Sequence, residues 1–247
     1  MRVQSLTLAV AGVALLAPSM AAAAETRVPA AESTARALQE AGHRGEAVAA
    51  DITSPAAVED ATRQVAEAFG GIDVLVNNAG VVRYGTVPEF SVEDWDLVVD
   101  TNLKGTFLTI KYAVPFMRER GGGAIVNTAS AQAFASQPLV AAYSASKGAI
   151  VAMTRTLALD HAADGIRVNC ICPGSVETPM LQYGAESLVE GDSRTTMDQW
   201  GSQHPIGRLI QPEEVAAVTA FLASDDAAAI TGAPYLVDGG LLARLGV

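Results

Sequence analysis

The feature that most constrains this chain is a set of short, unbroken apolar runs: Val74-Leu75-Val76, Ile125-Val126 and Val168 to Cys172. A strand wetted on one side alternates polar and apolar residues, whereas an unbroken run belongs to a strand covered on both faces. Strands are expected at Glu46–Asp51, Ile72–Asn77, Ala124–Asn127, Arg167–Cys172 and Tyr235–Val237. Between them lie helical stretches: Glu32–Ala41 stopped by Gly42, Pro55–Phe69 behind a Ser54 cap, Ser91 to about Arg120, Ala142–Ala162, and Pro212–Ala223. This alternation predicts an α/β fold, a doubly wound parallel sheet with helices on both faces. Pro179–Ile206 is polar and poorly periodic, and is expected to be an irregular lid or binding loop.

Half of the 247 residues are hydrophobic and 17% are charged, enough to build one core and too little charge for a disordered chain. The net charge of −11, with no basic run, argues against nucleic acid and anionic membrane surfaces as partners. Cys170 and Cys172 stand two apart in an apolar run, so they point the same way along a strand. A disulfide between them would be strained, and buried free thiols are expected. His43, His161 and His204 lack ligand spacing, and no bound metal is expected.

Met1 to Ala24 departs from this pattern. It has an early Arg2, an apolar stretch from Leu6 to Ala17, and small residues Ala21 to Ala24, the layout of a secretory signal peptide. The stretch is too short, and broken by Pro18, to span a membrane. The expected division is therefore 1–30, a signal-like or misread segment, and 31–247, a Rossmann-like domain.

Open parallel sheets bind ligands beyond the carboxyl ends of their strands. Those positions hold Asp51, then Asn77-Asn78-Ala79-Gly80, Ser130, and Pro173-Gly174-Ser175-Val176. Tyr143 and Lys147 are four apart and share one helix face, where an ammonium favours the phenolate and is expected to lower the phenol's pKa from about 10. A phenol tuned in this way is a general acid/base. Tyr-x-x-x-Lys alone is a common pair. With it stand the Asn-Asn-Ala-Gly run, Asn102, Ser130, Pro173-Gly174, Thr178-Pro179, Gly207-Arg208, Pro212-Glu213-Glu214, Ile230-Thr231-Gly232 and Val237-Asp238-Gly239-Gly240. In this order the set resembles the short-chain dehydrogenase/reductase family, over about residues 31 to 243.

The resemblance implies an oxidoreductase that interconverts an alcohol and a ketone with NAD or NADP. It gives Tyr143 the proton transfer, Ser130 a hydrogen bond to the substrate oxygen, Lys147 the nicotinamide ribose, and Asn102 a relay water. It also puts Asp51 and Ile52 at the adenine, and Asn78, Ala79 and Gly80 near the adenosine ribose. Pro173, Gly174, Val176 and Thr178 surround the carboxamide. It further implies a homo-oligomer, tetramer or dimer, built through Thr106–Arg120, Tyr143–Ala162 and a strand near Tyr235, in a cytoplasmic protein. Phe134, Gln137, Leu139 and the loop from Leu181 to Trp200 are expected to line the pocket for a small-molecule alcohol or ketone, such as a sugar, polyol or hydroxy acid. Ala133 stands where the family often has Gly.

The front of the chain departs from the family. Its Thr-Gly-x-x-x-Gly-x-Gly turn, which lets the backbone approach pyrophosphate, has no counterpart before Ala31, where Gly12 stands alone. The residue that selects NAD or NADP is missing with it. The first strand and helix are expected to be absent or replaced, with Leu6–Gly12 a possible substitute strand. An unfilled central slot would leave ladder groups unpaired at about 1–3 kcal/mol each, against a total stability of roughly 5–15 kcal/mol. Three readings stay open: the alcohol dehydrogenase with a misread or truncated start, a 3-oxoacyl thioester reductase of the same family, and a non-catalytic remnant or exported binding protein.

Overall fold

Local signals set the helix ends. The Ser54 hydroxyl accepts from the Ala57 amide, Pro55 opens the helix, and Gly70 closes it at φ +80°. Ser91 caps the next helix by accepting from the Asp94 amide, and Glu214 reaches back to accept from the Gln211 amide. A computed structural model describes residues 10–16, 21–188 and 192–244. In it the strands are β1 (Val10–Leu16), β2 (Gly45–Asp51), β3 (Val74–Asn77), β4 (Gly123–Thr128), β5 (Ile166–Pro173) and β6 (Pro234–Val237). The helices are α1 (Ala21–Glu40), α2 (Pro55–Phe69), α3 (Val92–Val99), α4 (Gly105–Glu119), α5 (Ala141–His161), α6 (Pro179–Leu188), α7 (Ser193–Gln203) and α8 (Pro212–Ala223).

All strand pairings are parallel, but they fall into two sheets: β1-β2, and β3-β4-β5-β6. Among the described residues no ladder joins β1 to β3. The two sheets communicate through side chains, as Ile52 at the end of β2 packs with Val58 of α2 and Leu108 of α4. The main core lies where α2, α4 and α5 close over β4 and β5, around Ala66, Ile110, Met117, Ile125, Ala158 and Val168. On the other face Leu222 of α8 packs on Val126 and Ile171.

The α/β expectation holds, with differences of detail. The replacement strand lies at Val10–Leu16 rather than Leu6–Gly12, whose residues 6–9 fall outside the described residues. The helix expected from Glu32 begins at Ala21, so α1 runs across the 30/31 boundary. Pro179–Ile206 is not irregular but carries α6 and α7. Their buried positions include the small residues Gly184, Ala185 and Gly201, which give no large-apolar periodicity to read. The long helical region from Ser91 contains a π-helical turn, Asp100–Lys104, between α3 and α4.

Candidate active site

The carboxyl ends of β3, β4 and β5 and the first turns of α5 bring four of the candidate residues together. Ser130 follows β4 by two residues, caps a short turn by accepting from the Gln132 amide, and pairs with the Tyr143 hydroxyl. Lys147, one turn beyond Tyr143, is 4% exposed and sits 5.5 Å from the centroid of the Tyr143 ring. Its Nζ donates to the Thr128 carbonyl at 2.7 Å. An ammonium has three N–H donors, so two remain for other acceptors. Asn102 lies in the π-helical turn, fully buried. Its Oδ1 accepts from the Val81 amide (2.8 Å), while its Nδ2 donates to the Val81 carbonyl (3.0 Å) and to Ser146 Oγ (3.1 Å). A π turn inside an α-helix commonly marks a functional position. Here it turns the Asn102 carboxamide onto the loop that follows β3 and onto α5.

That loop is Asn78-Ala79-Gly80. Asn78 Oδ1 accepts from Thr128 Oγ1 at 3.2 Å, and a Cβ on Gly80 would lie 3.4 Å from Asn102 Oδ1 and 3.6 Å from Lys147 Nζ. Below the loop, Asn77 Nδ2 donates to Asn127 Oδ1, Thr109 Oγ1 donates to Asn77 Oδ1, and Asn127 Nδ2 donates to Thr154 Oγ1. This buried chain ties β3, β4, α4 and α5 together, so Asn77 braces the sheet.

The opposite wall is the segment after β5. Val176 bridges to Ile210, and Thr178 Oγ1 donates to the Val176 carbonyl and accepts from the Leu181 amide at the start of α6. Asp51 and Ile52 stand apart from this cluster, on the two-stranded sheet. Asp51 Oδ1 accepts from the Thr53 amide and hydroxyl, and Ile52 is a core residue.

The electrostatics differ from the sequence expectation. Burial pushes the Tyr143 phenol up, with the Ser130 hydrogen bond opposing it. Lys147 does not pull the phenol down; burial lowers the lysine itself to about 8. Desolvation penalises the charged form of either group, and it is the largest influence on both. Cys170 and Cys172 are free, buried thiols. The hydrogen bond from Cys170, and then burial, push the Cys172 thiol up beneath Lys147. Among the described residues no His, Cys, Asp and Glu side chains cluster to hold a metal, and no helix is long and apolar enough to cross a membrane.

Two residues at the site had no sequence signal that separated them from ordinary positions. The buried His204 accepts from the Ser175 amide at Nε2 (3.1 Å) and donates from Nδ1 to the Trp200 carbonyl (3.0 Å). It thereby pins the end of α7 to the loop after β5. A Cβ on Gly174 would lie 2.7 Å from His204 Nε2, so only glycine fits there. Tyr84 lies beside Tyr143 and stacks at a tilt on Tyr183 of α6, their ring centroids 6.2 Å apart. Burial pushes its phenol up to about 12.

A parallel sheet with a buried Ser-Tyr-Lys-Asn cluster at its carboxyl edge defines a nicotinamide-type α/β oxidoreductase. The family model described as enoyl-(acyl carrier protein) reductase matches residues 7–242. Meso-2,3-butanediol dehydrogenase of Serratia marcescens is 42% identical over 203 residues, 82% of this chain and 77% of its own length. D-beta-hydroxybutyrate dehydrogenase of Rhizobium meliloti is 40% identical over 79% of this chain and 77% of its own. A solved structure of actinorhodin polyketide ketoreductase with NADPH superposes with a TM-score of 0.82 at 39% identity, covering 86% of this chain and 84% of that one. The chain belongs to the short-chain dehydrogenase/reductase family of NAD(P)-dependent oxidoreductases.

Proposed function

We propose that this chain interconverts a small polar secondary alcohol and its ketone, using NAD or NADP and the set Ser130, Tyr143, Lys147 and Asn102. The observation that carries this reading is the contact of Tyr143 with both Ser130 and Lys147 in one buried cluster. When bound, the nicotinamide supplies or accepts the hydride. In oxidation Tyr143 Oη takes the alcohol proton, and in reduction it returns a proton to the carbonyl oxygen. Ser130 Oγ donates to that same oxygen and holds it against Tyr143. The two free donors of Lys147 suit the vicinal hydroxyls of a ribose, and Asn102 holds the loop and α5 in register around them. Pro173, Gly174, Val176 and Thr178 would frame the carboxamide.

The substrate preference rests on the relatives, which act on a diol and a hydroxy acid, and on the phenols of Tyr84 and Tyr183 beside the cluster. A cytoplasmic compartment follows from the need for soluble nicotinamide cofactor. A homo-oligomer through α4 and α5 is supported by Phe107 and Leu159, large apolar residues left exposed on those helices. A second reading, a non-catalytic remnant, is favoured by the split between β1 and β3. Turnover of 2,3-butanediol or 3-hydroxybutyrate by the purified chain separates the two. Tyr143→Phe is expected to lower kcat/KM by about 10²–10⁴-fold in both directions, and undiminished turnover would sink this mechanism.

A further inference from the structure

A dinucleotide is an extended ligand, and the two ends of its expected site are built very differently here. The nicotinamide end is preorganised. Lys147 carries two free donors, Gly80 leaves open the space beside Lys147 Nζ, and Gly174 sits in a loop pinned by His204. The pyrophosphate end has no comparable features. Pyrophosphate is held by backbone N–H groups at a glycine-rich turn that leads into a helix, on a strand in the middle of the sheet. The four residues of sequence between β1 and α1 are Ala17-Pro18-Ser19-Met20, with no glycine and with one residue that has no N–H. No Lys or Arg occurs from Val3 to Thr26 to neutralise a phosphate.

The strand ladder is interrupted as well. Among the described residues β3 pairs with β4 alone and not with β1, and Val74 and Val76 are 44% and 45% exposed where a doubly covered strand would bury them. Beyond this gap, at the adenine end, Asp51 spends one carboxylate oxygen on its own turn and Ile52 is sealed in the core.

We infer that this chain grips a nicotinamide dinucleotide by its nicotinamide-ribose end alone, so that the adenylate half adds little affinity. Nicotinamide mononucleotide in its reduced form is then as good a ligand as the dinucleotide. The inference rests on the nicotinamide site of the proposed function. It turns on which half of the ligand is recognised.

The test is a fluorescence titration of the 247-residue protein with NADH, NADPH and reduced nicotinamide mononucleotide, followed by competition with ADP, which carries the adenylate half without the nicotinamide ribose. The three dissociation constants are expected to agree within about tenfold, or about 1.4 kcal/mol, and excess ADP is expected to displace none of them. Lys147→Ala is expected to weaken all three in parallel. Binding of NADH or NADPH more than about tenfold tighter than the mononucleotide, or displacement by ADP, overturns the inference and leaves the proposed function standing. If none of the three binds, the nicotinamide site itself is wrong and both fall together.

Discussion

β3 and β4 carry the same kind of apolar run, and they end in opposite environments. Ile125 and Val126 of β4 are fully buried, with β3 and β5 on either side and helices on both faces. Val74 and Val76 of β3 are nearly half exposed, and among the described residues β3 pairs with β4 alone. A strand's apolar pattern therefore records the neighbours its sequence suits, while burial records the neighbours it has. The same contrast divides the function. Ser130, Tyr143, Lys147 and Asn102 gather on the well-covered side, where β4 and β5 end.

The largest stability effect should separate these two sides. Asn127→Leu breaks the chain that runs from Thr109 through Asn77 and Asn127 to Thr154, leaving buried polar atoms unpaired. It is expected to cost about 2–4 kcal/mol in urea unfolding, whereas a cost near zero would mean the two sides do not differ in how tightly they are tied.

A pH profile sharpens the comparison from the catalytic side. Burial lowers Lys147 from 10.5 to about 8, so between those values the unfolded chain holds more protons on this lysine than the folded one. Its contribution to stability therefore rises as pH climbs from about 8 to 10.5. Alcohol oxidation is expected to rise through an apparent pKa near 8 as Lys147 becomes able to take a proton passed on by Tyr143. Carbonyl reduction should fall over the same range. Flat profiles across pH 7–9, about one unit either side of its titration, would detach Lys147 from the proton path.

The smallest effect is expected at the bare edge. Val76→Lys should change stability by no more than about 0.5 kcal/mol, because its side chain is already wetted, and should reduce edge-to-edge association in light scattering. A cost of several kcal/mol would mean that the edge is covered in solution.

Much of this was legible in the sequence. The Ser54 cap placed the start of α2 to the residue, and the resemblance to the family singled out Ser130, Asn102, Tyr143 and Lys147, which lie together in the fold. What the sequence concealed was set by tertiary contact. The direction of the Tyr143 shift depends on desolvation, which a four-residue spacing does not report. The role of His204 depends on the loop after β5 folding against it, 29 residues earlier in the chain. Helices α6 and α7 hide behind small buried residues that leave no large-apolar stripe.

Hydrogen exchange measured peptide by peptide tests most directly the division between a well-tied sheet and an isolated strand pair. Amides of β2 are expected to exchange by local opening orders of magnitude faster than those of β4 and β5, since β1-β2 is a separate two-stranded sheet. Equal protection across β2, β4 and β5 would show one cooperative sheet with its central slot filled, and would contradict the division.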